Sequence, residues 1–342
     1  MASVMTADLF SRARSGDNGA FGQLTQPHVR ELQAHCYRML GSFQDAEDAL
    51  QDTLLTAWQG LRGFEQRASL RTWLYRIATN RCLNVIRSAS RRPAKAWNVP
   101  GLEPPTPTRL GEVPWLEPFP DAIPGHGIDV PPGSEACYEQ TQSISLAFVT
   151  ALQTLPPRQL AVLILRDVLG FEAKEVAGML ESTVESANSA LKRARATMKL
   201  HSPSSADHQA ACVTDARSDD ALVAKFVSAY EAGDLDVLVA LLTDDVFMSM
   251  PPMPLEYIGR DVVTQFLRVI VFGAGRKYTL VPTRANGQPA FGIYVSGPDG
   301  IKRGTGLVTL ALRNGRICAM SRFENHLLPA FGLPPSLVPS PG

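Results

Sequence analysis

The residues of this chain whose types and spacing could do chemistry are concentrated at positions 64–92, in the stretch FEQRASLRTWLYRIATNRCLNVIRSASRR. Placed on a helix from Ser69 onward, Trp73, Arg76, Asn80, Asn84, Arg87 and Arg91 fall on one stripe at spacings of three and four, while Leu70, Leu74, Ala78, Cys82 and Val85 fall roughly opposite. One face can therefore pack on a core while the other presents an indole, two amides and three guanidinium groups. Such groups meet nucleic acid: arginine neutralises phosphates, asparagine reads or buttresses base edges, and an indole gives an unstacked base a platform. A solvated basic face on an ordinary amphipathic helix has the same pattern, so the surrounding elements decide between the two.

Residues 6–92 read as helices throughout. Positions 20–40 carry a helical apolar pattern (Phe21, Leu24, Leu32, Met39, Leu40), interrupted by Pro27, which is expected to kink the helix or restart it, and ended by Gly41. Positions 45–61, DAEDALQDTLLTAWQGL, put Ala49, Leu50, Thr53, Leu54, Ala57 and Trp58 on one side. Asp45, Glu47, Asp48, Gln51 and Asp52 crowd its first turns. Acids there suit the helix dipole, and they equally suit a basic docking partner.

The 342 residues suffice for two or three domains, and nothing in them resembles a membrane span or a signal peptide. The formal net charge of zero hides a division, because residues 62–95 carry nine basic side chains against the single acid Glu65. The five cysteines, at 36, 82, 137, 212 and 318, are odd in number and show no metal-ligand spacing. Reduced thiols in a cytoplasmic protein are expected, with no metal or cofactor.

Residues 93–134 change character. Eleven prolines fall there with almost no periodicity, which reads as a linker, although WLEPFPD at 115–121 sets two aromatics among prolines and could dock. Helical pattern resumes over 135–200. A helix is expected to start after Pro156 and Pro157. Residues 174–180, a break at 181–183 and an amphipathic helix through Met198 then fit a helix-turn-helix. On its second helix Val184, Ala187, Leu191 and Ala194 face inward, leaving Ser186, Asn188, Ser189, Lys192, Arg193 and Arg195 to meet a groove.

Two motifs, HCYRMLGSFQDAEDALQDTLLTAW followed by FEQRASLRTWLYRIATNRCLNVIR, resemble region 2 of the extracytoplasmic-function (group IV) sigma factors of bacterial RNA polymerase. The resemblance implies core polymerase contact by Asp45, Asp48, Gln51 and Asp52. It also implies contact with the melted −10 promoter element by Arg67, Trp73, Arg76, Asn80, Asn84 and Arg87. The helix-turn-helix lies where region 4 of the same family reads the duplex −35 element. Asn84 stands where many members carry Asp, and the mild ESANSA replaces the usual basic start of the recognition helix, so a distinct sequence preference is expected.

Residues 201–217 are a second linker. From residue 218 to 333 two or three helices precede period-two segments at 246–250, 277–282, 290–295, 306–312 and 316–323, with Asn314–Gly315 as a hairpin turn. This α+β grammar resembles the SnoaL-like, ketosteroid-isomerase-related cone, and residues 334–342 form a Pro-rich tail. Enzymes of the cone place an aspartate where this chain has Met250, and a thioether abstracts no proton. Asp261, Glu324 and His326 are the remaining acid or base candidates.

The expected architecture is thus multidomain: a region 2 helical bundle, a region 4 helix-turn-helix and a C-terminal α+β cone acting in cis on the other two. The expected partners are core polymerase and promoter DNA, with no membrane contact. Two rivals are a helix-turn-helix regulator working without polymerase, which has no use for the AEDALQ and WLYRIATN stretches, and a SnoaL-like enzyme with a DNA-binding part.

Overall fold

A computed structural model describes residues 2–65, 68–89, 95–97, 101–112, 115–122, 145–201, 216–273 and 275–338. Two compact units emerge: residues 1–92 with 155–200, and residues 93–154 with 201–342. The expected helix pattern at 135–144 and the linker at 202–215 lie outside the described residues.

The first unit is all helix. Helices α1 (Ala2–Arg14), α2 (Asn18–Leu40), α3 (Phe43–Gly60) and α4 (Leu70–Ala89) pack into a bundle. Its core holds Leu32, Tyr37, Met39, Leu74 and Tyr75, each fully buried and worth roughly 1.5–3 kcal/mol against exposure. Asp17 caps α2 by accepting from the Ala20 N–H, and Gly41 ends it in the left-handed conformation at φ 70°. Pro27 does not restart the helix: α2 runs through it from Asn18 to Leu40. Pro27 and Gln23 are exposed, so the Gln23 carbonyl that loses its partner to the proline faces water.

Residues 155–200 complete this unit. Helix α6 (Pro157–Leu163) starts on a proline at its first position and continues into a wider turn, Ile164–Val168. Helix α7 (Ala173–Met179) carries a reciprocal cap, with the Glu172 N–H donating to Glu175 Oε2 at 3.0 Å. Glu181 turns the chain at φ 50°, and α8 (Val184–His201) follows, with Thr183 Oγ1 accepting from the Ser186 N–H at 3.1 Å. The short helix α5 (Leu146–Gln153), ahead of α6, belongs to the second unit and is buried along most of its length.

The second unit is a sheet wrapped against helices α9 (Ala216–Ala232), α10 (Leu235–Ala240) and α11 (Arg260–Phe266). Its strands are β1 (Arg109–Leu110), β2 (Leu242–Met250), β3 (Met253–Ile258), β4 (Tyr278–Ala285), β5 (Gln288–Ser296), β6 (Lys302–Arg313), β7 (Arg316–Glu324) and β8 (Ser336–Leu337). They run in the order β1-β3-β2-β7-β6-β5-β4, with β8 on β6 and only β2–β7 parallel among the pairs. Alternation sends Val246, Met248, Met250, Leu310 and Met320 into the core with Phe226, Tyr230 and Phe266. Phe247, Ala311, Cys318 and Ala319 form a second cluster of their own. The hairpin at Asn314–Gly315 forms with both residues at positive φ.

Three strands were not legible in the sequence. Strand β3 pairs β2, and β1 comes from the Pro-rich linker, pairing Arg109 with Glu256 and Leu110 with Leu255. Strand β8 ties the Pro-rich tail to Lys302 and Arg303. The linker is therefore no free spacer along its described length: it follows the sheet. Trp97 packs edge-on against Phe266 and donates its indole N–H to the Leu102 carbonyl at 2.7 Å. The Tyr257 hydroxyl donates to the Pro105 carbonyl at 2.9 Å. Farther on, Leu116 and Phe119 of WLEPFPD are buried, and Asn286 clasps Phe119 twice. The Phe119 N–H donates to Asn286 Oδ1 at 2.8 Å, and the Asn286 N–H donates to the Phe119 carbonyl at 2.9 Å.

Candidate nucleic-acid interface

Helix α4 is amphipathic as its spacing requires. Leu74, Tyr75, Ala78, Thr79 and Cys82 are buried, while Arg76, Arg81, Asn84, Arg87 and Ser88 are exposed and Asn80 is half-buried. Burial is polar at one point. His35 of α2 shares a 2.9 Å hydrogen bond with the Thr79 hydroxyl, and complete burial holds its pKa down to about 3. Burial also lowers Arg38 to about 10 and pushes the Tyr75 phenol up.

Of the expected −10 contacts, Arg76, Asn80, Asn84 and Arg87 share one face, whereas Arg67 lies outside the described residues, as does Arg91 of the same stripe. Trp73 is half-buried. Its ring stacks on Phe64 at 4.6 Å between centroids and packs on the cluster of Ala13, Ala20, Leu24 and Leu61, and Gly60 comes so close that a Cβ there would sit 3.4 Å from the indole. The spacing rule put Trp73 on the polar stripe because it counts angle only. The bundle covers that end of the helix with α1 and the residues before α4.

On α3, capped by Ser42 accepting from the Asp45 N–H, Asp48 and Gln51 are exposed. Asp45 is half-buried. Asp52 forms an ion pair with Arg81 of α4 and so braces the bundle as well as facing outward. Leu55, one turn beyond Gln51, is 55% exposed and extends this acidic surface with an apolar group.

In the helix-turn-helix, Ala187, Leu191 and Ala194 are buried and Val184 half-buried, and Ser186, Asn188, Ser189, Lys192 and Arg193 are exposed, the division expected from the pattern. Arg195 is not free. Asp167 holds it through two hydrogen bonds of 2.8 and 2.7 Å, which makes it a brace between α8 and the turn after α6.

Sigma-70 region 2 matches residues 24–92, and Sigma-70 region 4 matches residues 145–198. The ECF RNA polymerase sigma factor SigG of Mycobacterium tuberculosis is 40% identical over 328 residues, covering 93% of this chain and 85% of its own. This chain is an extracytoplasmic-function sigma factor. SigM of the same species is 28% identical over 194 residues, 56% of this sigma factor and 82% of SigM. The crystal structure of the M. tuberculosis sigma factor SigJ shares the fold along most of the chain, with a TM-score of 0.55 at 23% identity over 86% of this sigma factor and 94% of SigJ. The multidomain fold read from the sequence is the observed one: two helical sigma regions and a C-terminal SnoaL-like α+β cone.

The cone of this sigma factor puts none of its acid or base candidates in its core. Met250 is 1% exposed, packed among apolar side chains at the place where enzymes of this fold set an acid. Asp261 is exposed at the start of α11. Glu324 pairs with Lys95 from the linker, and His326, 45% exposed, lies 3.6 Å from Glu117 and 3.8 Å from Glu324. These groups fasten the linker to the domain. Among the described residues no cluster of His, Cys, Asp or Glu could hold a metal ion, and Cys36, Cys82 and Cys318 are buried. No described helix is long and apolar enough to cross a membrane.

Proposed function

We propose that this sigma factor binds core RNA polymerase through α3, with Asp45, Asp48, Gln51 and Asp52 as the contacting residues, and directs initiation at promoters read by two separate surfaces. Arg76, Asn80, Asn84 and Arg87 of α4, with Arg67 and Trp73 at its start, act on the melted −10 element. Trp73 serves there by holding the helix start in place. Ser186, Asn188, Ser189, Lys192 and Arg193 of α8 act on duplex at the −35 element, and Arg195 steadies that helix. Work with polymerase places the protein in the cytoplasm. The observation that carries the reading is the pairing of an exposed acidic α3 with an exposed polar and basic α8 in one chain matched by sigma-70 regions 2 and 4.

The C-terminal cone regulates in cis and is not a catalyst. Met250 is buried in its apolar core, where Asp261, Glu324 and His326 are not found, and its sheet binds the linker that joins regions 2 and 4, so it fixes what that linker can do. Run-off transcription with core polymerase tests both statements, using the full chain and a chain ended after His201. Promoter-specific transcripts from the full chain, changed in yield or promoter choice on truncation, are expected. No transcript from any promoter fragment with the full chain refutes the first statement, and identical transcripts from both chains refute the second.

A further inference from the structure

Within the first unit a cleft of about 560 Å³ opens between α4 and residues 156–158 and 180–181. That volume lies inside the roughly 300–1,000 Å³ that small-molecule pockets occupy. Two turns of α4 make one wall, where Asn80, Asn84 and Arg87, four and three residues apart, share a face over about 10 Å of helix rise. The lining is positive. Arg87 and Arg158 contribute two guanidinium groups, and the one carboxylate, that of Glu181, is already taken by Arg76 at 3.1 Å. Arg158 is exposed, its Nη2 reaches the Leu180 carbonyl only at 3.5 Å, and among the described residues no carboxylate pairs with it. A guanidinium with donors to spare grips a phosphate through two parallel hydrogen bonds. Along the wall that carries Arg87, the carboxamides of Asn80 and Asn84 each offer a donor and an acceptor, the combination that reads the edge of a purine. Pro156 and Pro157, both exposed, give a ring an apolar surface to lie against.

We propose that this cleft is a binding site for a nucleoside diphosphate or triphosphate, with the base held against Asn80 and Asn84 and the phosphates between Arg87 and Arg158. Such a ligand joins on one small molecule the anion, the hydrogen-bonding ring edge and the flat face that the lining matches. Inorganic phosphate would use the two arginines alone, and an uncharged nucleoside only the carboxamides and prolines. The consequence for promoter contact rests on the assignment of α4 to the −10 element. Asn80, Asn84 and Arg87 then serve both ligands, so a bound nucleotide and a single strand compete for α4, whereas Arg158 serves the nucleotide only.

The probe is ADP, titrated calorimetrically into the full chain, with adenosine and inorganic diphosphate in separate titrations. Saturable one-to-one binding of ADP is expected, with adenosine and diphosphate each weaker by roughly tenfold or more, since each lacks one half of the contacts. Arg158→Gln removes a charge at an exposed position and leaves the proposed DNA contacts in place. It should weaken ADP roughly ten- to hundredfold, the worth of a charge-assisted hydrogen bond, while a fluorescent random-sequence single-stranded 20-mer binds variant and parent alike. ADP should displace that 20-mer from the parent. No binding of ADP, or ADP bound equally by the parent and Arg158→Gln, overturns the site even where the 20-mer binds as expected. Diphosphate bound as tightly as ADP overturns the nucleotide class. ADP that binds as expected and leaves the 20-mer in place overturns instead the assignment of α4 to the −10 strand.

Discussion

Replacing Asn286 by glycine isolates the clasp that ties the interdomain linker to the cone. Asn286 stands at φ 54°, a conformation glycine adopts freely, so Asn286→Gly adds no backbone strain while deleting the Oδ1 that accepts from Phe119. Phe119 is 7% exposed and Asn286 2%, so the change removes one hydrogen bond from a nearly dry site, a loss of about 1–3 kcal/mol. The remaining ties of the segment include the Asn286 N–H to the Phe119 carbonyl at 2.9 Å and the Gly287 N–H to Asp121 at 2.8 Å. Both survive the change, so the segment should open more often without detaching the strands. At 1.4 kcal/mol per tenfold, amide exchange over residues 115–121 is expected to rise roughly 5- to 150-fold by local opening, with exchange in the β5–β6 pair unaltered. Asn286→Ala should exceed this, since alanine adds about 1 kcal/mol of left-handed strain. Hydrogen exchange read by mass spectrometry on the full chain measures both. Equal exchange in Asn286→Gly and the parent would refute the claim that this contact holds the linker.

Charge reversal by Asp48→Lys should abolish co-purification with core polymerase while circular dichroism stays unchanged, because Asp48 is exposed and no described contact of the fold uses it; undiminished binding would remove α3 from the interface. Arg193→Ala should weaken duplex promoter binding and lower its salt slope by roughly one unit, read from affinities at several salt concentrations, with an unchanged slope counting against a phosphate contact. His35 gives a pH prediction whose sign follows from burial: its pKa falls from 6.5 to about 3 on folding, so the unfolded chain binds the proton first, and stability present above pH 6.5 is lost as pH falls toward 3. At pH 5 that loss is about 2 kcal/mol relative to pH 7.5, seen as a lower urea midpoint. In His35→Gln the same pH change should move the midpoint less, and an equal shift in both proteins would show that other groups cause it.

Periodicity alone determined the helical elements that carry the function. The two faces of α4, the inward Ala187, Leu191 and Ala194 of α8, and the exposed Asp48 and Gln51 of α3 all follow from 3.6-residue spacing, because a helix assigns its faces by angle and needs no distant partner to do so. The hairpin at Asn314–Gly315 was equally local. Tertiary structure decided what angle cannot express. Trp73 shares the polar stripe in projection, yet Phe64 and Gly60 enclose it, since covering depends on which elements pass over that end of α4. Arg195 read as a free cation until Asp167, 28 residues earlier, met it. The prolines of the linker hid its order most completely. Part of its hold on the sheet runs through its own backbone groups, at Arg109–Leu110 against β3 and at Phe119 against Asn286, and backbone hydrogen bonds leave no side-chain period to read. Glu175 and Glu181 belong to the same class: ordinary helix-turn-helix residues by sequence, they meet Thr72 and Arg76 only because the fold sets them there.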